Sequence, residues 1–229
     1  MKRTLLLVLA VCCIVSPAEL LAQQLKVVSG QLDLRLSDDF LTAFRLFQID
    51  QTDDVIRPEG PGSNLNRFLV NSPTAAERPT DFLFNLGQPE SAQGLISTSG
   101  FLFFDDLVTP RIPSGDLSLG YDASRITEST SGFFVFGTLE EFQAPLFDLG
   151  SDTMATANED GFFVSSGLLT LSPEVTAALS RPDRIVPPGV VAGSIAVTGN
   201  VAAVPEPGSA TLFLIGLMTI AAKRRSRKL

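Results

Sequence analysis

The groups in this sequence best suited to chemistry are carboxylates that stand side by side. Two carboxyl groups about 5 to 10 Å apart in a cleft can hydrolyse a glycosidic bond, one as acid and the other as base or nucleophile. Because adjacent acids at strand ends are more often solvated loop residues, a secreted carboxylate-based hydrolase is an alternative hypothesis rather than the leading one. Four adjacent pairs are candidates for this role: Asp38-Asp39, Asp53-Asp54, Asp105-Asp106 and Glu140-Glu141.

Two acidic stretches offer oxygen ligands for calcium, which takes about six to eight of them and is often held in a loop that turns sharply at a glycine. The donors are Asp50, Asp53 and Asp54 in one stretch, and Asn158 and Asp160, followed by a glycine, in the other. Neither stretch has the full spacing of an EF-hand loop. No metal site is therefore assigned, and these five residues are kept as Ca²⁺ candidates for a Ca²⁺-dependent carbohydrate-binding module, a further alternative.

Other catalytic chemistry is excluded by the side chains that the sequence lacks. The chain has no histidine, which excludes His-based triads, His metal ligands and imidazole acid–base catalysis. Its two cysteines, Cys12 and Cys13, lie in the N-terminal apolar stretch, so the mature domain would have no thiol nucleophile and no Cys zinc site. A Ser–Lys dyad would have to use Lys26, the one lysine in residues 23–205, which lies close to the N-terminus that signal-peptide cleavage would leave. This dyad is therefore disfavoured. We therefore expect a non-enzymatic domain without a cofactor.

The central part of the chain is strongly acidic. Residues 23–205 contain ten Lys or Arg and 23 Asp or Glu, a net charge of −13. Such a surface disfavours binding to nucleic acid and favours solubility and cationic partners. With about 180 residues and no disulfide, the region is long enough to be stabilised by its own core. We predict one acidic, β-rich exported domain over residues 23–202.

Hydrophobic patterning along this region is that of β-strands. Residues 31–37 and 116–121 alternate between apolar and polar side chains, as strands with one solvated face do. Phe-rich runs at 81–84, 100–104, 132–136 and 161–164 predict strands that are more fully buried. Turns rich in Pro, Gly and polar residues are predicted at 57–64, 71–80, 109–116 and 181–189. The predicted fold class is all-β, an antiparallel sandwich or barrel.

Two segments compete as helices within this β pattern. Pro173–Ser180 has Ser172 as a possible N-cap and proline at the first helical position. The second segment, Ser37–Phe47, is compatible with either a helix or a strand.

The N-terminus has the three parts of a secretory signal peptide. Two cations precede an apolar stretch at residues 5–15, and small residues favour cleavage after Ala22. We predict a signal peptide over residues 1–22 and hence an exported protein. A lipoprotein signal at Cys12 or Cys13 is disfavoured, because neither cysteine follows a small residue such as Ala or Gly.

The C-terminus combines a proline turn, an apolar run and a basic tail. Pro207 at the first turn of a helix loses no hydrogen bond, and Glu206 lies beside the positive end of the helix dipole. Residues 208–222 carry no formal charge and are followed by five Lys or Arg among the last seven residues. A helix of this length is shorter than the hydrocarbon core of a bilayer, but it can lie in the membrane with its basic end on the cytoplasmic side when Lys223 and Arg224 extend their charged ends to the surface. We predict a short membrane helix through the inner membrane.

These three parts, in this order and at the chain end, closely resemble the PEP-CTERM protein-sorting domain over about residues 203–229. The resemblance implies that an exosortase, an integral-membrane cysteine protease, recognises Pro205, Glu206 and Pro207 as a sorting motif. It also implies a Gram-negative envelope and association with exopolysaccharide or biofilm matrix. An ordinary C-terminal membrane anchor is the alternative, and it would retain the basic tail.

These inferences predict an exported, non-enzymatic protein of the cell envelope or extracellular matrix. It would be anchored transiently in the inner membrane with its domain in the periplasm, and then reach the outer envelope or the extracellular space. The expected partners are an exosortase-type protease and the inner membrane, with exopolysaccharide as a further candidate and nucleic acid excluded.

Overall fold

The computed structural model describes residues 23–60, 62–105, 112–180, 186–187 and 189–204. The predicted signal peptide (1–22), the sorting motif at 205–207 and the membrane helix at 208–222 lie outside the described residues and stay predictions. The chain divides into two units, one comprising Leu25–Ala202 and the other containing both chain ends. The fold described below is that of the first unit.

The described residues form fourteen strands and two short helices. The helices are α1 (Asp38–Phe44) and α2 (Pro173–Leu179). The strands are β1 (Gln24–Leu36), β2 (Phe47–Gln51), β3 (Val55–Ile56), β4 (Leu65–Leu69), β5 (Leu83–Asn85), β6 (Gln88–Gln93), β7 (Leu95–Ser97), β8 (Phe101–Asp105), β9 (Ile112–Ile126), β10 (Thr130–Leu139), β11 (Phe142–Gly150), β12 (Met154–Asn158), β13 (Gly161–Leu171) and β14 (Val191–Ala203).

The all-β prediction is confirmed, since these strands form one large antiparallel sheet whose main path is β2-β8-β9-β10-β11-β13-β14-β1-β4-β3. Side-chain alternation along β1 explains its orientation. Leu32, Leu34 and Leu36 are buried, whereas Asp33 and Arg35 point to the more exposed face. A period of two places one side of a strand against the core and the other against solvent.

The sheet closes on itself between β4 and β7. Val70, directly after β4, forms an antiparallel bridge with Thr98, directly after β7. The Asn71 N–H donates to the Ser97 carbonyl at 2.8 Å. Because β7 also pairs with β9, a continuous ring of strands runs β1-β4-β7-β9-β10-β11-β13-β14 and returns to β1. Within this ring each strand has a neighbour on both sides, while the sheet path continues beyond the ring to β2 and β3.

One end of the interior is filled by aromatic rings, which we call the aromatic cluster: Phe82, Phe84, Tyr121, Phe133 and Phe162. The Phe162 ring centroid lies 4.8 Å from that of Phe82 and 5.1 Å from that of Phe84. Tyr121 and Phe133 are 4.9 Å apart. These tilted and edge-on arrangements suit the ring quadrupoles and bury a large apolar area.

The two helices begin at side-chain caps. The Ser172 Oγ accepts a hydrogen bond from the Val175 N–H at 3.1 Å, so the predicted N-cap of α2 is present. In α1 the Ser37 Oγ accepts from the Phe40 N–H at 3.1 Å. The helix ends at Arg45, whose φ of 56° is left-handed. The ambiguous segment 37–47 is thus a helix that leads into strand β2.

The predicted turn at 109–116 is wrong over its second half. β9 begins at Ile112 and runs through Gly115 and Asp116. Asp116 has a φ of 51°, and the pairing of β9 with β10 shifts register near this point. A β-bulge allows turn-forming residues to lie inside a strand.

Replacing Phe162 by alanine should lower the free energy of unfolding by about 3–5 kcal/mol, because it removes a fully buried ring from the aromatic cluster. The neighbouring Phe163 is 36 % exposed on the opposite face of β13. Phe163→Ala, the matched control, should cost about 1 kcal/mol or less. Denaturant unfolding of both variants measures the difference. Equal losses would contradict the register of β13.

Candidate functional site

The structure places the four predicted acid pairs at the ends of separate elements. The first pair lies in the first turn of α1, the second in the turn between β2 and β3, and the fourth in the turn between β10 and β11. Of the third pair, Asp105 ends β8, and Asp106 lies outside the described residues. The residues concerned are Asp38, Asp39, Asp53, Asp54, Asp105, Glu140 and Glu141, of which Asp105 is half-buried and the others exposed. All of these acids therefore lie at element ends or in turns, and all but Asp105 are solvated.

The calcium candidates lie in two different turns. Asp50 is in β2, where its Oδ1 accepts from the Gln51 N–H at 2.8 Å, and Asp53 and Asp54 follow in the next turn. The Asn158 Oδ1 accepts from the N–H of Asp160 and from the next N–H along the chain, both at 3.0 Å, and so closes the β12–β13 hairpin. Within the described part of the chain, no three Asp, Glu, His or Cys side chains are grouped so as to hold a metal ion.

Among the described residues, three carboxyl groups have a lowered pKa, and each accepts hydrogen bonds from a neighbouring side chain or backbone N–H. A hydrogen bond from Arg35 lowers the pKa of Glu59, and hydrogen bonds from Ser124 lower that of Asp122. The pKa of Glu174 is lowered by hydrogen bonds from the guanidinium of Arg125. A lowered pKa keeps these groups ionised, which suits structural ion pairs and not proton donation.

Arg125 joins two carboxylates from different elements. Its Nε and Nη2 donate to the Asp148 carboxylate of β11 at 2.7 and 3.1 Å. Its Nη1 and Nη2 donate to the Glu174 carboxylate of α2, also at 2.7 and 3.1 Å. The guanidinium carbon lies 5.3 Å from the centroid of the Phe134 ring. The planar fork of arginine suits this double bidentate arrangement, which ties α2 to the sheet.

An apolar cavity of about 350 Å³, which we call the helix-end cavity, lies between the sheet and the two helices. Two strands run from the aromatic cluster to the cavity, with one end of each strand in the cluster and the other end in the cavity wall. Phe133 belongs to the cluster and Leu139, at the end of β10, lines the cavity. Phe162 and Leu171 are placed in the same way at the two ends of β13. The interior of the ring is therefore filled at one end and hollow at the other.

The cavity wall is hydrophobic. Of the nineteen described residues that line it, seventeen are apolar. α1 contributes Phe40 and Phe44, and α2 contributes Val175. The polar residues are Ser114, which is half-buried, and Glu140, which is exposed and so marks the opening. A cavity of this size with few polar groups has the character of a small-molecule site.

The chain matches no protein-family model, and no significant match was found among curated proteins or solved structures. The resemblance to a sorting domain therefore depends on the residues of the C-terminal segment alone. In the described ranges, the helices are too short to cross a bilayer.

The sequence interpretation did not find the Arg125 ion pairs or the helix-end cavity. Arg125, Asp148 and Glu174 are far apart along the chain, and no local pattern relates them. The alternation that includes Leu34 and Leu36 indicated an inward face. It could not show that this part of the interior contains a cavity.

Glu174→Gln should make stability less dependent on pH in the acidic range. Because the folded-state pKa of Glu174 is lowered, its ion pair stabilises the fold above its unfolded-state pKa of about 4.3, and this stabilisation is lost as pH falls through the folded-state value. At neutral pH the variant should lose about 1 kcal/mol, since the Glu174 side chain is 39 % exposed and partly screened. Urea unfolding of the wild type and the variant between pH 7 and pH 3 measures the two free energies of unfolding.

Glu128→Gln, in an exposed turn, is the control. Its free energy of unfolding should depend on pH in the same way as that of the wild type. If Glu174→Gln and the wild type lost stability in parallel as the pH falls, the proposed role of this ion pair would be wrong.

Proposed function

We propose that this protein is an exported, non-enzymatic component of the cell envelope or extracellular matrix, positioned by its C-terminal segment. The observation that carries the proposal is the order of three parts at the chain end: Pro205-Glu206-Pro207, the uncharged residues 208–222, and the basic tail. That order resembles a PEP-CTERM sorting signal. The segment would be inserted in the inner membrane and then processed by an exosortase-type protease.

The fold is consistent with a domain that must remain stable outside the cell without disulfides. Both cysteines precede residue 23, so the domain depends on its packed core and its hydrogen-bonded sheet. The strands form a ring closed between Val70 and Thr98, and the aromatic cluster is one part of the buried core. The net negative charge of residues 23–205 favours solubility at high local concentration.

The alternatives would need acids that converge on one site. A carboxylate hydrolase needs two carboxyl groups facing one cleft, and a Ca²⁺-dependent carbohydrate-binding module needs several oxygen ligands in one place. In the described residues the candidate acids belong to separate elements and turns, and no three of them are grouped so as to hold a metal ion. A structural or adhesive role, with exopolysaccharide as a candidate partner, is therefore the proposal that we favour.

Replacing Pro205, Glu206 and Pro207 together by alanine should block processing. The wild-type protein should leave the inner membrane and be recovered from the outer envelope or the medium, cleaved at both ends. The triple variant should stay in the membrane fraction with its basic tail intact. Cell fractionation followed by intact-mass measurement reports location and both termini at once.

Pro58→Ala combined with Glu59→Ala is the matched control, because it removes the same residue types from an exposed turn of the domain. This double variant should be processed like the wild type. Recovery of mature wild-type protein that always retains Arg225 and Arg227 would contradict the sorting proposal and favour an ordinary membrane anchor.

A further inference from the structure

We propose that the helix-end cavity binds one small apolar molecule of about a dozen carbon atoms whose polar end is neutral or cationic. The proposal depends on the described interior of the domain and not on how the protein is sorted. It would hold even if the C-terminal segment were an ordinary anchor.

The size of the cavity is the first argument. Protein interiors are packed with few voids larger than a water molecule. The helix-end cavity measures about 350 Å³. An apolar cavity of about 150 Å³ holds a benzene molecule, so this one has room for roughly twice as many carbon atoms. That is the volume of a medium-length alkyl chain or of two to three fused rings.

The construction of the cavity is the second argument. The inward positions of several strands, such as Leu34 of β1, Leu102 of β8 and Leu117 of β9, point into it. The helices complete the wall, and the ion pair between Arg125 and Glu174 holds α2 in place from outside the cavity. Apolar walls on rigid elements are the features that pre-form a hydrophobic binding site.

The charge of Glu140 at the cavity opening determines which class of ligand can bind. Among the described lining residues, Glu140 carries the one formal charge, and Ser114 offers a hydroxyl that can donate or accept. A carboxylate at the opening repels an anionic head group and attracts an ammonium group. A long-chain amine, an alcohol or an uncharged ring compound therefore fits, whereas a fatty-acid anion does not.

The test uses the purified full chain and the neutral fluorescent probe 1-aminoanthracene. The probe should gain fluorescence on binding and be displaced by decylamine and by 1-decanol. Decanoate should compete about tenfold more weakly, because like charges at the opening disfavour it. Glu140→Gln should reduce the difference in binding affinity between decylamine and decanoate.

Two buried leucines of β9 provide a matched pair of variants. Leu117 lines the cavity, whereas Leu119 is fully buried on the same face of β9 and is not part of the lining. Leu117→Phe should fill part of the cavity, lowering probe affinity about tenfold or more while leaving Tm unchanged or raised. Leu119→Phe should overpack the core and lower Tm while the protein that remains folded binds the probe normally.

Three results would overturn the proposal: no saturable probe binding, unchanged binding by the folded Leu117→Phe variant, or decanoate binding as tightly as decylamine. Glu140→Gln alters an exposed side chain, so its effect on ligand preference can be measured even if a core variant does not fold.

Discussion

Closure of the sheet between Val70 and Thr98 is the constraint on which the rest of the domain depends. The two residues join β4 to β7, and the ring that results has an inside that must be filled by inward-facing side chains. A second contact between distant strands supports it: the side-chain amides of Gln48 and the fully buried Asn66 exchange hydrogen bonds at 2.8 and 3.2 Å. Buried amides that satisfy one another give a unique arrangement of the strands they join.

The two ends of the ring are filled differently, and this difference gives the domain its candidate site. Aromatic side chains occupy one end, where rings packed at angles leave little space. The other end is surrounded by leucines and phenylalanines of the strands and by the two short helices, which leave the helix-end cavity between them. Arg125 ties α2, which forms part of the cavity wall, to the sheet, because it binds both Asp148 on β11 and Glu174 on α2. Strands β10 and β13 contribute side chains to both ends. Stability and a candidate binding site thus depend on the same strands.

Local patterns in the sequence predicted individual strands and helices. They did not predict how strands distant in sequence close into a ring. Alternation around Leu32 and Leu34 indicated β1, and Ser172 followed by proline indicated α2, because both signals depend on neighbouring residues. Gly115 and Asp116 resembled a turn, although pairing with β10 holds them in a bulged strand. The ring, the Arg125 ion pairs and the cavity join residues distant in sequence. The terminal signals lie outside the described residues and remain predictions from the sequence.

The place of β14 has a consequence for the order in which the domain can assemble. β14 is the last strand of the described residues, yet it lies between β13 and β1. Contacts between residues so far apart form slowly, because closing the long intervening chain costs conformational entropy before the contacts stabilise the fold. The sheet therefore remains open until synthesis has passed residue 203. If the chain is exported from its N-terminus, as we propose, the domain would stay unfolded during translocation and fold only on the far side of the membrane.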